Sequence, residues 1–244
     1  MAARNDHEAG PGAATAQDRP DGLAPLAPVT ARGEATRRRI LDAAESVFGE
    51  RGYYEASVSE ITRRAGVAQG TFYIYFHTKR EAFIELIGDI GERLREASSI
   101  AIRGASHRLS AERNGFEAFL QFVAAHRHIY RLVEEAGRVA PEAARDYYHR
   151  IASGYERGLS TAMQTGQIRE GNVEGLAYAL MGIAHFMALR WLVWPPADDG
   201  SQSAVSEEQP QTWASAVPPE VFESVMDFIA NGLLPPEPGA RSLK

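Results

Sequence analysis

The sequence predicts an all-α protein, with a helix-turn-helix among its first helices and a longer run of helices after it. Apolar residues recur at helical spacing, as in Ile40, Ala44, Val47 and Phe48 and again in Phe83, Ile84, Ile87, Ile90 and Leu94. Strand patterns are nearly absent, and glycines and capping residues fall between the apolar runs. With 244 residues, 44% of them apolar, the chain can bury a sizeable core.

The elements follow in order. Residues 1–32, rich in Ala, Pro and Gly and without the continuous apolar run of a secretory signal, read as a disordered arm. A first helix spans 34–51 and stops at Gly52. Ser57-Val58-Ser59-Glu60 is a capping box, in which the Ser57 hydroxyl accepts from the Glu60 N–H and the carboxylate reaches back, so a short helix covers 58–65. Gly66 supplies the left-handed turn, Val67 plugs the angle, and a further short helix covers 69–76. A longer helix begins near Lys79, and "FEAFLQFVAAHRHIYRLVEEA" holds one or two more. Pro141 marks the first turn of a long helix reaching about Gly166, and residues 173–194 form the next. The polar stretch 195–219 reads as a flexible loop before a last helix over 220–231. The predicted domains are therefore 33–78 and 79–234, with a tail at 235–244.

Charge is uneven. The net charge is −6, yet residues 31–80 carry nine Lys/Arg against six Asp/Glu, which leaves 17 against 26 elsewhere. One basic segment in an acidic chain fits a single module facing a polyanion. No cysteine is present, which excludes disulfides and thiol chemistry and fits the cytoplasm. The longest apolar stretch, 177–194, contains His185 and Arg190, so it reads as a buried helix rather than a membrane span.

The chemistry concentrates in "AGVAQGTFYIYFHTK", residues 65–79. Phe72 and Phe76 at i and i+4 share one face and should point inward, leaving Gln69, Thr71, Tyr73 and Tyr75 toward solvent. Such side chains can donate to phosphates and touch thymine methyls. Gly70 permits close approach to a backbone, and Lys79 joins an ammonium to a helix N-terminus that favours an anion. A helix-turn-helix places its second helix in the major groove.

Ala65-Gly66-Val67, then Gly70, Tyr73, Tyr75-Phe76 and Lys79, after Ser57-x-x-Glu60-Ile61, resembles the signature of the TetR (tetracycline repressor) family of transcriptional regulators. The resemblance covers roughly residues 36–83. It implies an N-terminal three-helix DNA-binding domain joined to a C-terminal helical ligand-binding and dimerisation domain, and that Ser57, Ser59, Gln69, Gly70, Thr71, Tyr73, Tyr75 and Lys79 occupy DNA-contacting places. Lys79, Tyr75 and Ser57 should hold mainly phosphates, Gln69 and Thr71 base edges, and Tyr73 either. The sequence departs from the family pattern at Ala68, where a hydroxyl cap is usual, and at Thr62, where alanine is usual.

The partners expected are double-stranded DNA carrying a palindromic operator, a second copy of the chain, and a small effector; no membrane partner, metal or cofactor is expected. A homodimer follows because one short helix covers too few base pairs, and the last two helices supply the seam, with Leu180, Ile183, Ala184, Met187, Leu189, Trp191, Leu192, Val221, Phe222, Val225, Phe228 and Ile229. Phe119, Phe122, His126, Tyr130, Tyr148, Tyr155, Tyr178 and His185 are candidate effector ligands, since aromatics with polar tips line pockets for mostly apolar molecules. A bulky apolar or aromatic effector comes first, and an acyl-CoA second because His126, Arg127, His128 and Arg131 could meet a phosphate. The resemblance implies repression as the commoner mode, released when the effector tilts the helix after Lys79. Activation is the alternative mode. An enzyme finds no support in a P-loop, GxGxxG, HExxH or cysteine nucleophile, and His126 and His128 diverge on a helix. A helical interaction protein without DNA binding would leave the turn signature unexplained.

Overall fold

The computed structural model describes residues 30–194 and 212–235, so most of the predicted arm, residues 195–211 of the predicted loop and residues 236–244 of the tail lie outside it. Among the described residues every regular element is helical. Helix α1 (Ala31–Glu55) starts two residues inside the predicted arm, where the Thr30 hydroxyl accepts from the Gly33 N–H at 3.1 Å. It is broken where expected: Gly52 adopts φ 75°, ψ 168°, a conformation costly for a residue with a β-carbon. Helix α2 (Val58–Ala65) has Ser57 as its cap, accepting from the Glu60 N–H at 3.2 Å. The other half of the expected capping box is replaced, since the Glu60 carboxylate lies 3.0 Å from the Arg51 Nε. Gly66 takes φ 65°, ψ 39°, and the Val67 N–H returns to the Thr62 carbonyl at 3.0 Å, closing the turn into α3 (Gln69–Tyr75).

Helix α4 (Lys79–Ile102) begins at a Thr78 cap and runs past both parts of the molecule. The "one or two" helices after it are two, α5 (Arg108–Ala125) and α6 (Arg127–Val139), meeting at His126. Helix α7 (Pro141–Gln164) starts on its proline, and α8 (Val173–Ala188) continues as a π-helical turn over Leu189–Val193. A short helix, α9 (Trp213–Ala216), precedes α10 (Pro219–Leu233). The end of the stretch predicted as a flexible loop is thus structured: the Trp213 ring lies 4.7 Å from that of Phe222, because an indole gains more from the apolar wall of α10 than from water.

Two cores hold the fold; the first crosses residue 78, and the second lies within residues 79–234. The first joins α1, α2, α3 and α4 to α6 and the start of α7, with Phe48, Ile61, Phe72, Phe76, Phe83 and Ile129 fully buried. The second joins α5, α8 and α10 through Leu120, Ala177, Leu192 and Phe222. Helix α6 is packed onto α1 and α4, the two helices that flank the helix-turn-helix. Between α1 and α4 lie ion pairs, Arg37 with Glu85, Arg38 with Asp89 at 2.7 Å and Arg93 with Glu45 at 2.6 Å. Arg37 and Arg38, two cations of the basic segment 31–80, serve the α1–α4 seam.

Val173–Val193 is long and apolar enough by composition to cross a membrane, with a mean hydropathy of 1.5. One face, through Ala177, Leu180, Ala184 and Met187, is buried in the second core, while Tyr178 and Phe186 remain 44% and 63% exposed on the other.

Candidate nucleic-acid interface and effector cavity

The reading helix is set by its buried side. Phe72 and Phe76 are fully buried with ring centroids 5.5 Å apart, and burying each contributes about 2 to 3 kcal/mol to holding α3 against the first core. With that face fixed, Gln69, Gly70 and Tyr73 are exposed, and Ile74, not expected there, is 49% exposed beside them. Thr71 is half-buried, and Tyr75 packs partly against the core with its edge outward. Ser57 and Ser59 are exposed at the start of α2. Both departures from the family pattern are accommodated. Thr62 is buried, yet its hydroxyl donates to the Val58 and Ser59 carbonyls at 3.0 Å each. Ala68 provides no side-chain cap, so α3 relies on packing.

Lys79 occupies a different role from the expected one. Its ammonium donates to the carbonyls of Tyr53 and Ala56 at 2.7 Å each and of Tyr54 at 3.3 Å, and it sits 4.4 Å from the centroid of the Tyr53 ring. The break at Gly52 leaves the last carbonyls of α1 without helical partners, and Lys79 gathers them. Burial pushes its pKa down, the expected cost of this placement. All three ammonium hydrogens are committed inside the protein, so a direct phosphate contact by Lys79 is not what this geometry provides. From the opposite side the Glu135 carboxylate accepts from the Tyr53 N–H at 2.9 Å, so α6 also grips the α1 break.

A cavity of about 380 Å³ opens between α4, α5, α7 and α8. Five of the eight expected effector ligands line it: Phe119, Tyr130, Tyr148, Tyr155 and His185. Tyr130 and His185 share a 2.5 Å hydrogen bond across α6 and α8, and His185 Nε2 lies 3.5 Å from Glu134. Burial pushes the Tyr130 and Tyr155 hydroxyls well above the usual range and Tyr148 up to about 12, so all three are neutral donors at physiological pH.

The other three ligands lie elsewhere. The Phe122 and His126 rings lie 4.9 Å apart, tilted by 55°, with Arg93 over Phe122, and burial together with the Arg93 charge holds the His126 pKa down. Tyr178 projects from the outer face of α8. None of His126, Arg127, His128 and Arg131, the cluster invoked for a CoA phosphate, lines the cavity. They fall at the α5–α6 joint because His126 ends one helix and starts the next, turning the cluster toward α1.

Sequence reasoning missed the polar end of the cavity. Arg108 and Glu112 form an ion pair whose side chains are 11% and 3% exposed. A β-carbon at Gly158 would overlap the Arg108 guanidinium, so glycine at that point of α7 is what admits it. Arg95, Ser98 and Arg157 complete this end.

A profile of bacterial regulatory proteins of the tetR family matches residues 40–86, which span α1, the helix-turn-helix and the start of α4. An uncharacterised HTH-type transcriptional regulator of Bacillus subtilis, YdgC, is 45% identical over 65 residues, covering 27% of this chain and 33% of that protein. The fatty acid metabolism regulator protein of Bacillus subtilis is 44% identical over 62 residues, covering 24% of this chain and 32% of that protein. The chain thus matches about a third of the length of these curated relatives. The crystal structure of the transcriptional regulator FadR from Bacillus subtilis, in complex with stearoyl-CoA, superposes with a TM-score of 0.63 at 20% identity over 80% of this chain and 98% of that one, which is a likeness of fold. Over residues 40–86, with their exposed reading helix and buried Phe72–Phe76 face, the chain is therefore similar to the bacterial regulatory proteins of the tetR family.

Proposed function

We propose that the chain is a ligand-responsive transcriptional regulator that binds an inverted-repeat operator as a homodimer and leaves it when a mostly apolar effector enters the cavity. The observation that carries this reading is the course of α4. Its first residue, Lys79, clasps the end of α1 that leads into the helix-turn-helix, and its last turns, through Leu94, Arg95 and Ser98, form a wall of the cavity. A molecule that favours one position of this wall shifts the reading helix with it, provided it binds the two states with different affinity. Repression relieved by the effector is the simplest mode for such a coupling. That one relative is a fatty acid metabolism regulator, and that one structure of like fold holds stearoyl-CoA, supports a long apolar effector.

The dimer seam is narrower than the sequence reading made it. Leu180, Ala184, Met187, Leu189, Leu192, Phe222 and Ile229 are buried within the protomer, whereas Phe186 and Phe228 are 63% and 70% exposed on α8 and α10. Together with Tyr178 they make the face offered to a second copy. Phe186→Ser combined with Phe228→Ser should convert a dimer into a monomer at micromolar concentration by light scattering, with helical content unchanged; a persistent dimer would place the seam elsewhere.

In the reader, Gln69→Ala should alter preference among operator variants, a loss of about 1 to 3 kcal/mol at one base pair with random DNA unaffected. Equal loss on operator and random DNA would remove Gln69 from base reading. The function as a whole is tested by fluorescence anisotropy on operator DNA titrated with long-chain apolar compounds. A compound that raises the thermal midpoint should also release the DNA, and stabilisation without release would separate the cavity from the switch.

A further inference from the structure

The cavity's two ends differ in kind. Towards α6 and α8 it is lined by Phe119, Tyr147, Tyr148 and Met181, a wall for an apolar body. Towards the end of α4 and the start of α5 it presents three cations, Arg95, Arg108 and Arg157, against the single carboxylate of Glu112. Arg95 is already held by Glu92, at 2.7 Å, and stands half in solvent. Arg108 is the buried one.

Its guanidinium carries five N–H donors in a planar fork. One nitrogen, Nη2, donates to Glu112, while the buried Nε has no hydrogen-bond partner among the described residues. The Nε is sealed off, so what the cavity can meet is the part of the guanidinium that keeps the side chain 11% exposed, and there a carboxylate answers a cation far better than a hydroxyl or ester does. The site is also built for the guanidinium: Gly158 clears its space on α7, Gln167 accepts from the Arg108 backbone N–H at 2.7 Å, and the Tyr155 ring lies 5.9 Å from its central carbon.

We propose that Arg108 is the specificity determinant of the cavity, which takes a molecule with a long apolar tail and a free carboxylate head that meets the Arg108 guanidinium. This rests on the reading of the cavity as the effector site and names the effector's chemical class. Ser98, beside Arg108 in the wall, offers the head a further donor, and Arg157 offsets the negative charge it adds next to Glu112. Burial pushes the Glu112 carboxyl upward despite its arginine, so it can take up a proton when a second carboxylate arrives.

The test is isothermal calorimetry on the full chain with three probes of one tail length: dodecanoate, dodecanol and dodecanoyl-CoA. Dodecanoate should bind at least about tenfold more tightly than dodecanol, the value of one charge-assisted hydrogen bond. Arg108→Gln should bring the acid down to the level of the alcohol and leave the alcohol unchanged, and Arg108→Lys should restore part of the difference. Gly158→Ala, which displaces the guanidinium while keeping its charge, should lose the same preference and guards against a misfolded Arg108 variant. Equal binding of acid and alcohol, or equal loss of both in Arg108→Gln, would overturn the assignment. Binding of dodecanoyl-CoA alone, with release of DNA, would overturn the carboxylate head and leave the effector reading intact. Absence of binding by all three probes to a chain that still binds DNA would overturn both.

Discussion

Glu112→Ala is expected to lower the unfolding free energy by about 3 to 5 kcal/mol, read as a lower thermal midpoint and an earlier urea transition. The size follows from asymmetry. Removing the carboxylate leaves the Arg108 guanidinium, itself 11% exposed, as an uncompensated charge between α5 and α7. Replacing both partners, as in Arg108→Met with Glu112→Leu, should be far milder, because two desolvation costs vanish along with the attraction. A single substitution no worse than the double would show the pair to be wetter than its burial indicates.

Lys79→Met is expected to cost about 2 to 3 kcal/mol, the worth of a charge donated to three carbonyls that then lose their partner. The same variant separates two roles for this residue. A lysine bound to a phosphate contributes about one unit to the salt dependence of DNA binding. A lysine committed to the α1 break contributes none, so the slope of log affinity against log salt should remain that of wild type while stability falls. Unchanged stability with a reduced slope would return Lys79 to the DNA surface.

The helix-turn-helix was legible because its instructions are local. Ser57 caps, Gly52 and Gly66 take conformations that few other residues tolerate, and the spacing of Phe72 and Phe76 fixes which side of α3 faces solvent. Lys79 was legible as a residue of consequence, but its partners are carbonyls 23 to 26 positions earlier, exposed by a break whose geometry the sequence does not print. The cavity was half legible. Of the aromatic and histidine candidates, Phe119, Tyr130, Tyr148, Tyr155 and His185 line the cavity, while Phe122, His126 and Tyr178 are turned away by the joint at His126 and the outer face of α8. Arg108 and Glu112, four apart on a helix, look like a surface pair. Only packing against α7 buries them, and the one sequence signal for that is Gly154 and Gly158, two small residues one turn apart on the same helix.

The most direct test of the central claim, that α3 reads operator DNA from a twofold dimer, is selection of binding sites from random-sequence duplexes by the full chain, repeated with Tyr73→Ala. The expected result is an inverted repeat whose half-sites lie one or more helical turns apart, bound as a dimer and lost from the Tyr73→Ala selection. Recovery of no common sequence, or of an unpaired half-site retained by the variant, would contradict it.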